Sequence, residues 1–265
     1  MSENDSPHGM HVVGSGPPEA PPLLLVHGSG ASGDTWAPMV PALAERHRVI
    51  RVDLPGCGHS PPAPSYDVPE QARRLAAVID GLGLGAVCAA GHSSGGYVLT
   101  ALAEHRPDLV RSLTLMSTGP SVDALLPEPP ILRALLGPPF GPLLWSIRSD
   151  AMIRRGISAV AARPVDLPDE LIAGVKAITY RTFRKVSSGN LAYLKERSVP
   201  ERLAALDVPV LAIFGDADPR WEPSSVRQYE AVPGAQIKVL SGVGHLPLLE
   251  SPGAASELLL EFTAR

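Results

Sequence analysis

Gly91-His92-Ser93-Ser94-Gly95 is the segment of this chain best suited to covalent chemistry. It follows an apolar run, Ala86–Ala90, and leads into a stretch of helical period, Gly95–His105. A serine centred in G-x-S-x-G on a strand-to-helix turn sits in a sharp, strained bend. Small residues must flank it two positions either side, and its hydroxyl is pushed out above the sheet. The helix start that follows favours nearby negative charge. A serine hydroxyl is a weak nucleophile until a base takes its proton. Two later segments offer the partners. Gly215-Asp216-Ala217-Asp218-Pro219 supplies two candidate acids, and Gly242-Val243-Gly244-His245 supplies a base. The chain order serine, acid, histidine is one in which such triads occur.

Those residues need a scaffold that delivers them to one place. Short runs apolar at nearly every position recur along the chain: Leu23–Val26, Val49–Leu54, Ala86–Ala90, Ser112–Met116, Val210–Phe214 and Ile237–Leu240. Such runs suit parallel strands covered on both faces. His11–Val13 could add a short antiparallel edge strand. Helical segments lie between the runs: Trp36–Arg46, Pro69–Leu82, Gly95–His105, Pro223–Ala231 and Ser251–Phe262. Strand and helix in regular alternation predict a mostly parallel sheet with right-handed crossovers. From about 120 to 200 no strand is visible. Leu125–Leu136, Pro142–Arg154, Asp169–Val186 and Leu191–Arg197 read as helices with Pro-rich joints. A helical insertion at this point predicts a lid over the C-terminal ends of the strands, where open α/β sheets bind ligands.

The chain resembles the α/β-hydrolase superfamily, near its small serine esterases, non-haem perhydrolases and C–C hydrolases. The resemblance rests on His27-Gly28-Ser29-Gly30 with Trp36 downstream, Asp53-Leu54-Pro55-Gly56-Cys57-Gly58-His59-Ser60, Gly91-His92-Ser93-Ser94-Gly95-Gly96, Gly215-Asp216-Ala217-Asp218 and Gly244-His245. These five motifs, in order, span nearly everything outside the lid. The resemblance implies an α/β-hydrolase fold with residues 1–119 and 201–265 as core and 120–200 as a helical cap before the last two strands. It also implies Asp218, the fourth residue of G-x-x-D, as the acid, with Asp216 a turn former. The catalytic set would be Ser93, Asp218 and His245, with backbone N–H groups of Ser29 and Ser94 as the oxyanion hole and Gly30 as the alternative to Ser29. Asp53 matches a structural position. C–C hydrolases usually carry Trp after the histidine; Leu246 stands there instead. A serine at the elbow disfavours Asp-nucleophile dehalogenases and epoxide hydrolases.

The expected activity is hydrolysis of a small to medium, largely apolar carboxylic ester, lactone or thioester through an acyl-serine, with no cofactor. The alternatives are a C–C hydrolase or perhydrolase using the same triad, and a non-catalytic ligand-binding member of the fold. Substrate contacts are sought at Gly30, Trp36, Phe140, Trp145 and Leu246, although packing alone would also explain Trp36 and the lid cluster Leu135, Leu136, Phe140, Leu143, Leu144 and Trp145. His27 and His92 read as scaffold residues that hydrogen-bond the backbone. Arg181, Arg184 and Lys185 read as a solvated helix face.

Composition bounds the rest. At 265 residues the chain is long enough to bury a core without staples, and its net charge of −4 comes from interspersed signs. That argues against a nucleic-acid face or a polybasic anchor. Two cysteines make no disulfide framework. Eight scattered histidines show no metal-ligand spacing. The polar opening MSENDSPHGM has no signal-peptide core, and no run is long enough to span a membrane. The expectation is a cytoplasmic protein acting on a small molecule.

Overall fold

The structure is a computed structural model that describes residues 9–127, 130, 134 and 136–264. Seven strands form one sheet: β1 (Val12–Ser15), β2 (Pro22–Val26), β3 (Arg48–Val52), β4 (Val87–His92), β5 (Val110–Met116), β6 (Val210–Gly215) and β7 (Gln236–Leu240). Their spatial order is β1-β3-β2-β4-β5-β6-β7. Only β1 runs antiparallel, pairing Val12 with Val52 and Ser15 with Val49. Strands β2, β4 and β6 are buried along almost their whole length. Their near-continuous Leu, Val, Ile and Ala content follows from helices covering both faces.

One face carries α2 (Val68–Gly81) and α3 (Ser94–His105), whose Leu75, Ile79, Leu99 and Leu102 pack on Leu24, Val26 and Leu113. The other carries Trp36, α1 (Val40–Ala44) and the C-terminal helix, packed on Leu23, Leu25 and Ile213. The sheet's last strand departs from the buried pattern expected for Ile237–Leu240. As an edge, β7 leaves Val239 53% exposed and Lys238 outward.

The expected helix Trp36–Arg46 is instead a 3-10 turn, Gly33–Trp36, followed by the short α1 with Pro41 in its first turn. Proline cannot donate within a helix, so it serves as a start rather than an interior residue.

Between β5 and β6 the described residues form helices α4 (Phe140–Ser146), α5 (Asp150–Ser158), α6 (Asp169–Ala177), α7 (Tyr180–Glu196) and α8 (Val199–Leu203). Of the helix expected over Leu125–Leu136, Leu125–Pro127 is not helical, since Leu125 bridges Trp221 instead, and half of the span lies outside the described residues. Helix boundaries here differ from the periodicity. Ser149 caps α5 by accepting from the Met152 N–H, which splits Pro142–Arg154. Thr179 accepts from the Thr182 N–H and starts α7, so Asp169–Val186 is two helices and Leu191–Arg197 continues the second. A hydroxyl that accepts from an unclaimed amide restarts a helix even where apolar spacing is continuous. The insertion is tied down at α8. Arg202, 4% exposed, lies 3.8 Å over the Tyr193 ring and donates to both carboxylate oxygens of Glu104 on α3.

Candidate active site

Ser93 lies between β4 and α3 with φ 50° and ψ −121°, a left-handed region that costs a non-glycine residue about 1–3 kcal/mol. The turn is held from three sides. The Ser93 N–H donates to Met116 O at 2.8 Å, while Ser93 O accepts from the Gly96 N–H and from Thr118 Oγ1, both at 3.0 Å. The flanking glycines have steric reasons. A Cβ on Gly91 would come within 2.6 Å of Gly96 N, and one on Gly95 within 2.4 Å of Val26 O.

The loops after β6 and β7 bring the remaining groups to this turn. His245 Nε2 accepts from Ser93 Oγ at 3.1 Å, and His245 Nδ1 donates to Asp218 Oδ2 at 2.8 Å. Asp218 Oδ1 accepts from the Arg220 N–H at 2.8 Å. Both Asp218 and His245 are buried. Asp216 lies apart. It is exposed and its Oδ1 accepts from the Gly242 N–H at 2.6 Å, bracing one loop against the next.

Two further buried histidines frame the Ser93, His245 and Asp218 side chains without joining their hydrogen-bonded line. His92 Nε2 donates to His245 O at 2.8 Å, which leaves Nδ1 bare and without a partner. Burial, reinforced by the neighbouring His245, pushes the His92 imidazole down to about 3, so it stays neutral. His27 Nδ1 donates to Gly28 O and its Nε2 accepts from the Leu54 N–H, and burial lowers its pKa too. Asp53 supports the loop carrying Ser29. It accepts from the Gly33 and His59 N–H groups and from His11 Nδ1. Burial opposes its charge, but those donors and the neighbouring His27 hold the carboxyl below its usual range.

Glu250, on the short helix α9 (Pro247–Glu250), went unread in the sequence. Its Oε2 accepts from the Ala162, Arg163 and Gly244 N–H groups and its Oε1 from the Leu246 N–H. With His245 N donating to Val160 O, this carboxylate seats the histidine loop on the helical insertion. The available signal was a lone acid inside Leu246-Pro247-Leu248-Leu249-Glu250, where burial demands partners.

Asn190 on α7 is the second residue missed. Its Nδ2 donates to Ser29 Oγ at 2.9 Å, and Ser29 Oγ lies 2.8 Å from Ser94 Oγ. As the first residue of α3, Ser94 has a backbone N–H with no acceptor inside the helix. Gly28 fits close to Ser93, since a Cβ there would lie 3.1 Å from Ser93 Cβ.

The expected substrate contacts scatter. Gly30 has φ 73°, and a Cβ there would meet Phe183 at 4.0 Å. Trp145 stacks on that Phe183 ring, with centroids 4.6 Å apart, and donates to Ile178 O. Trp145 thus stands one layer behind Phe183. Trp36 does not belong with the contacts. It is fully buried among Met39, Leu43 and Leu25, because an indole that large best fills the sheet–helix layer. Phe140 is 58% exposed on α4 and turns its ring to solvent. Leu246 is buried, and its backbone serves Glu250.

A strained serine on a strand-to-helix turn, faced by a buried histidine and carboxylate on the next loops of a parallel sheet, defines the hydrolase class of α/β proteins. Residues 23–257 match the Alpha/beta hydrolase family, and the chain belongs to that family. Among curated proteins it is 27% identical to a pimeloyl-[acyl-carrier protein] methyl ester esterase of Vibrio atlanticus, over 96% of this chain and 97% of the relative. It is 26% identical to carboxylesterase YbfK of Bacillus subtilis, over 95% of this chain and 83% of that protein. The solved structure of that carboxylesterase superposes with a TM-score of 0.74 at 23% identity, covering 96% of this chain and 87% of the other. Among the described residues no group of side chains is placed to hold a metal ion, and no helix is long and apolar enough to cross a membrane.

Proposed function

We propose that the protein is a serine hydrolase that cleaves a carboxylic ester through an acyl-enzyme on Ser93. The observation that carries this reading is the continuous hydrogen-bonded line Ser93 Oγ, His245 Nε2, His245 Nδ1, Asp218 Oδ2. His245 takes the hydroxyl proton as Ser93 attacks the acyl carbon. Asp218 holds the imidazole in the Nδ1–H tautomer and stabilises its charged form. The Ser29 and Ser94 backbone N–H groups are the proposed oxyanion donors. His245 then returns the proton to the leaving alkoxide. It next activates a water that releases the acid and restores Ser93.

Relatives named as esterases support the ester bond as the one attacked. Thioesters and lactones fit the same chemistry. The helical segment 120–200 acts as a lid that shapes the acyl pocket. Leu246 after the histidine favours an ester over a C–C substrate.

The test is labelling with a fluorophosphonate probe alongside p-nitrophenyl ester turnover. Wild type is expected to label and turn over. Ser93→Ala should do neither, with kcat down by roughly 10^5-fold or more. An unlabelled wild-type protein, or full activity in Ser93→Ala, refutes the reading.

A further inference from the structure

Beside the paired serines lies a small cleft with about 10 Å³ of room, the space of one water-sized group. Ser29, Ser94, Asn190, Gln71, Cys57 and Val186 are among its walls. Two of these carry a buried amide oxygen with no hydrogen-bond partner among the described residues. Gln71 is 1% exposed. Its Nε2 donates to Tyr66 O at 2.8 Å, which leaves Oε1 unpartnered. Asn190 is 9% exposed. Its Nδ2 is engaged by Ser29 Oγ, and Oδ1 has no partner. The rest of the wall is apolar or neutral. Burial pushes the Cys57 thiol up to about 12, so it remains a thiol, and no lysine or arginine lines the cleft.

Resting on the serine-hydrolase reading, we infer that this cleft is a subsite for a hydroxyl on the acyl chain, one or two carbons from the scissile carbonyl, so that the preferred substrates are esters of short hydroxy acids. Three features argue for it. Two amide oxygens buried without a donor carry a desolvation penalty, and an arriving O–H, with one proton to donate, relieves it at one of them. A carboxylate would face those oxygens with no cation to offset it, so the cleft selects a donor and rejects an acid. The cleft also shares Ser29 and Ser94 with the proposed oxyanion hole, which suits a hydroxyl two or three bonds from the reacting carbonyl carbon. Sites that hydrogen-bond a substrate hydroxyl discriminate strongly against analogues lacking it, because the buried polar groups are then left unpaired. The Asn190 contact to Ser29 also places the reader of the acyl chain on the helical insertion, and the oxyanion loop on the core.

The test compares kcat/KM for ethyl 2-hydroxybutyrate, ethyl 3-hydroxybutyrate and ethyl butyrate in wild type, Gln71→Met and Asn190→Leu. Wild type is expected to favour one hydroxy ester over the butyrate by about tenfold or more. The variant that removes the accepting oxygen should bring that ratio close to one. The ratio is internal to each protein, so a general loss of activity leaves it readable. Gln71→Met alters a residue of α2 outside the triad and serves where Asn190→Leu disturbs folding. Equal turnover of all three esters by wild type would mean that water alone fills the cleft and would overturn the inference. So would a hydroxyl preference that survives in both Gln71→Met and Asn190→Leu. Failure of the serine-hydrolase reading has a separate signature, the absence of fluorophosphonate labelling and of ethyl butyrate turnover together.

Discussion

Ser93 occupies a backbone conformation that its own chemistry disfavours, and the residues around it explain why the strain persists. Met116 O, Gly96 N and Thr118 Oγ1 hold it from separate elements. At this scale the two aspartates of the loop after β6 separate cleanly. Asp218→Asn should lower kcat by about 10^4-fold, since the amide stabilises the wrong histidine tautomer. Asp216→Asn should leave kcat within a few fold, because that side chain only braces Gly242. Steady-state kinetics on one ester decides between them, and equal losses would contradict the assignment of Asp218. His92 yields a pH prediction. Its folded pKa, about 3, lies below the ordinary imidazole value of 6.5. The unfolded chain therefore binds a proton that the folded chain refuses, and stability is lost as pH falls from 6.5 toward 3. His92→Gln, which retains an N–H for His245 O, should lose about 2 kcal/mol less than wild type between pH 7 and pH 5. Urea midpoints at both pH values measure this. Parallel loss in the two proteins would show that His92 does not carry the proton.

Elements and loops decide whether those residues meet. The histidine loop is not self-supporting. Glu250 collects four backbone N–H groups, two from the insertion and two from the loop itself. Glu250→Gln replaces an oxygen with a donor and leaves buried amides facing it. We expect a loss of roughly 2–4 kcal/mol in stability. We also expect a fall in kcat larger than any change in KM, as His245 drifts from Ser93. Thermal unfolding together with the kcat and KM split checks this, and wild-type kcat in a stable Glu250→Gln protein would sink it. Helix boundaries show the limit of periodicity. The apolar spacing of Asp169–Val186 runs unbroken, yet the Thr179 cap divides it, because a local hydroxyl–amide bond outweighs a continued apolar stripe. The elbow was legible for the opposite reason. Its glycines answer to backbone contacts under 3 Å, which no other residue can satisfy.

Across the described residues, the helical insertion meets the core at Tyr193, whose hydroxyl donates to Glu104 on α3 and whose ring lies against Arg202. Arg202 is buried with its charge matched by Glu104 and its plane against Tyr193. Removing Glu104 would leave that guanidinium only the exposed Glu196 carboxylate, 3.3 Å away, as a counter-charge. Glu104→Ala should cost about 3–5 kcal/mol, while the paired change of Glu104 and Arg202 to Leu and Met should recover much of it. Chemical denaturation of the three proteins tests the coupling, and additive losses would argue against it.

The sequence by itself determined the alternation of strands and helices, the turn at Ser93 and the chain order of Ser93, Asp218 and His245 on their loops. Each rests on short-range constraints: burial on both faces of a strand, steric closeness at glycines, and motif spacing. Only the tertiary structure decided which distant groups touch. Glu250 reaches Ala162 and Arg163, and Asn190 reaches Ser29, across 87 or more residues of chain, through contacts that no local pattern records. Trp36 and Phe140 look alike as aromatic candidates in a string of letters. Packing puts one beneath the sheet and the other in solvent, because burial is set by the elements that close over a residue rather than by the residue itself.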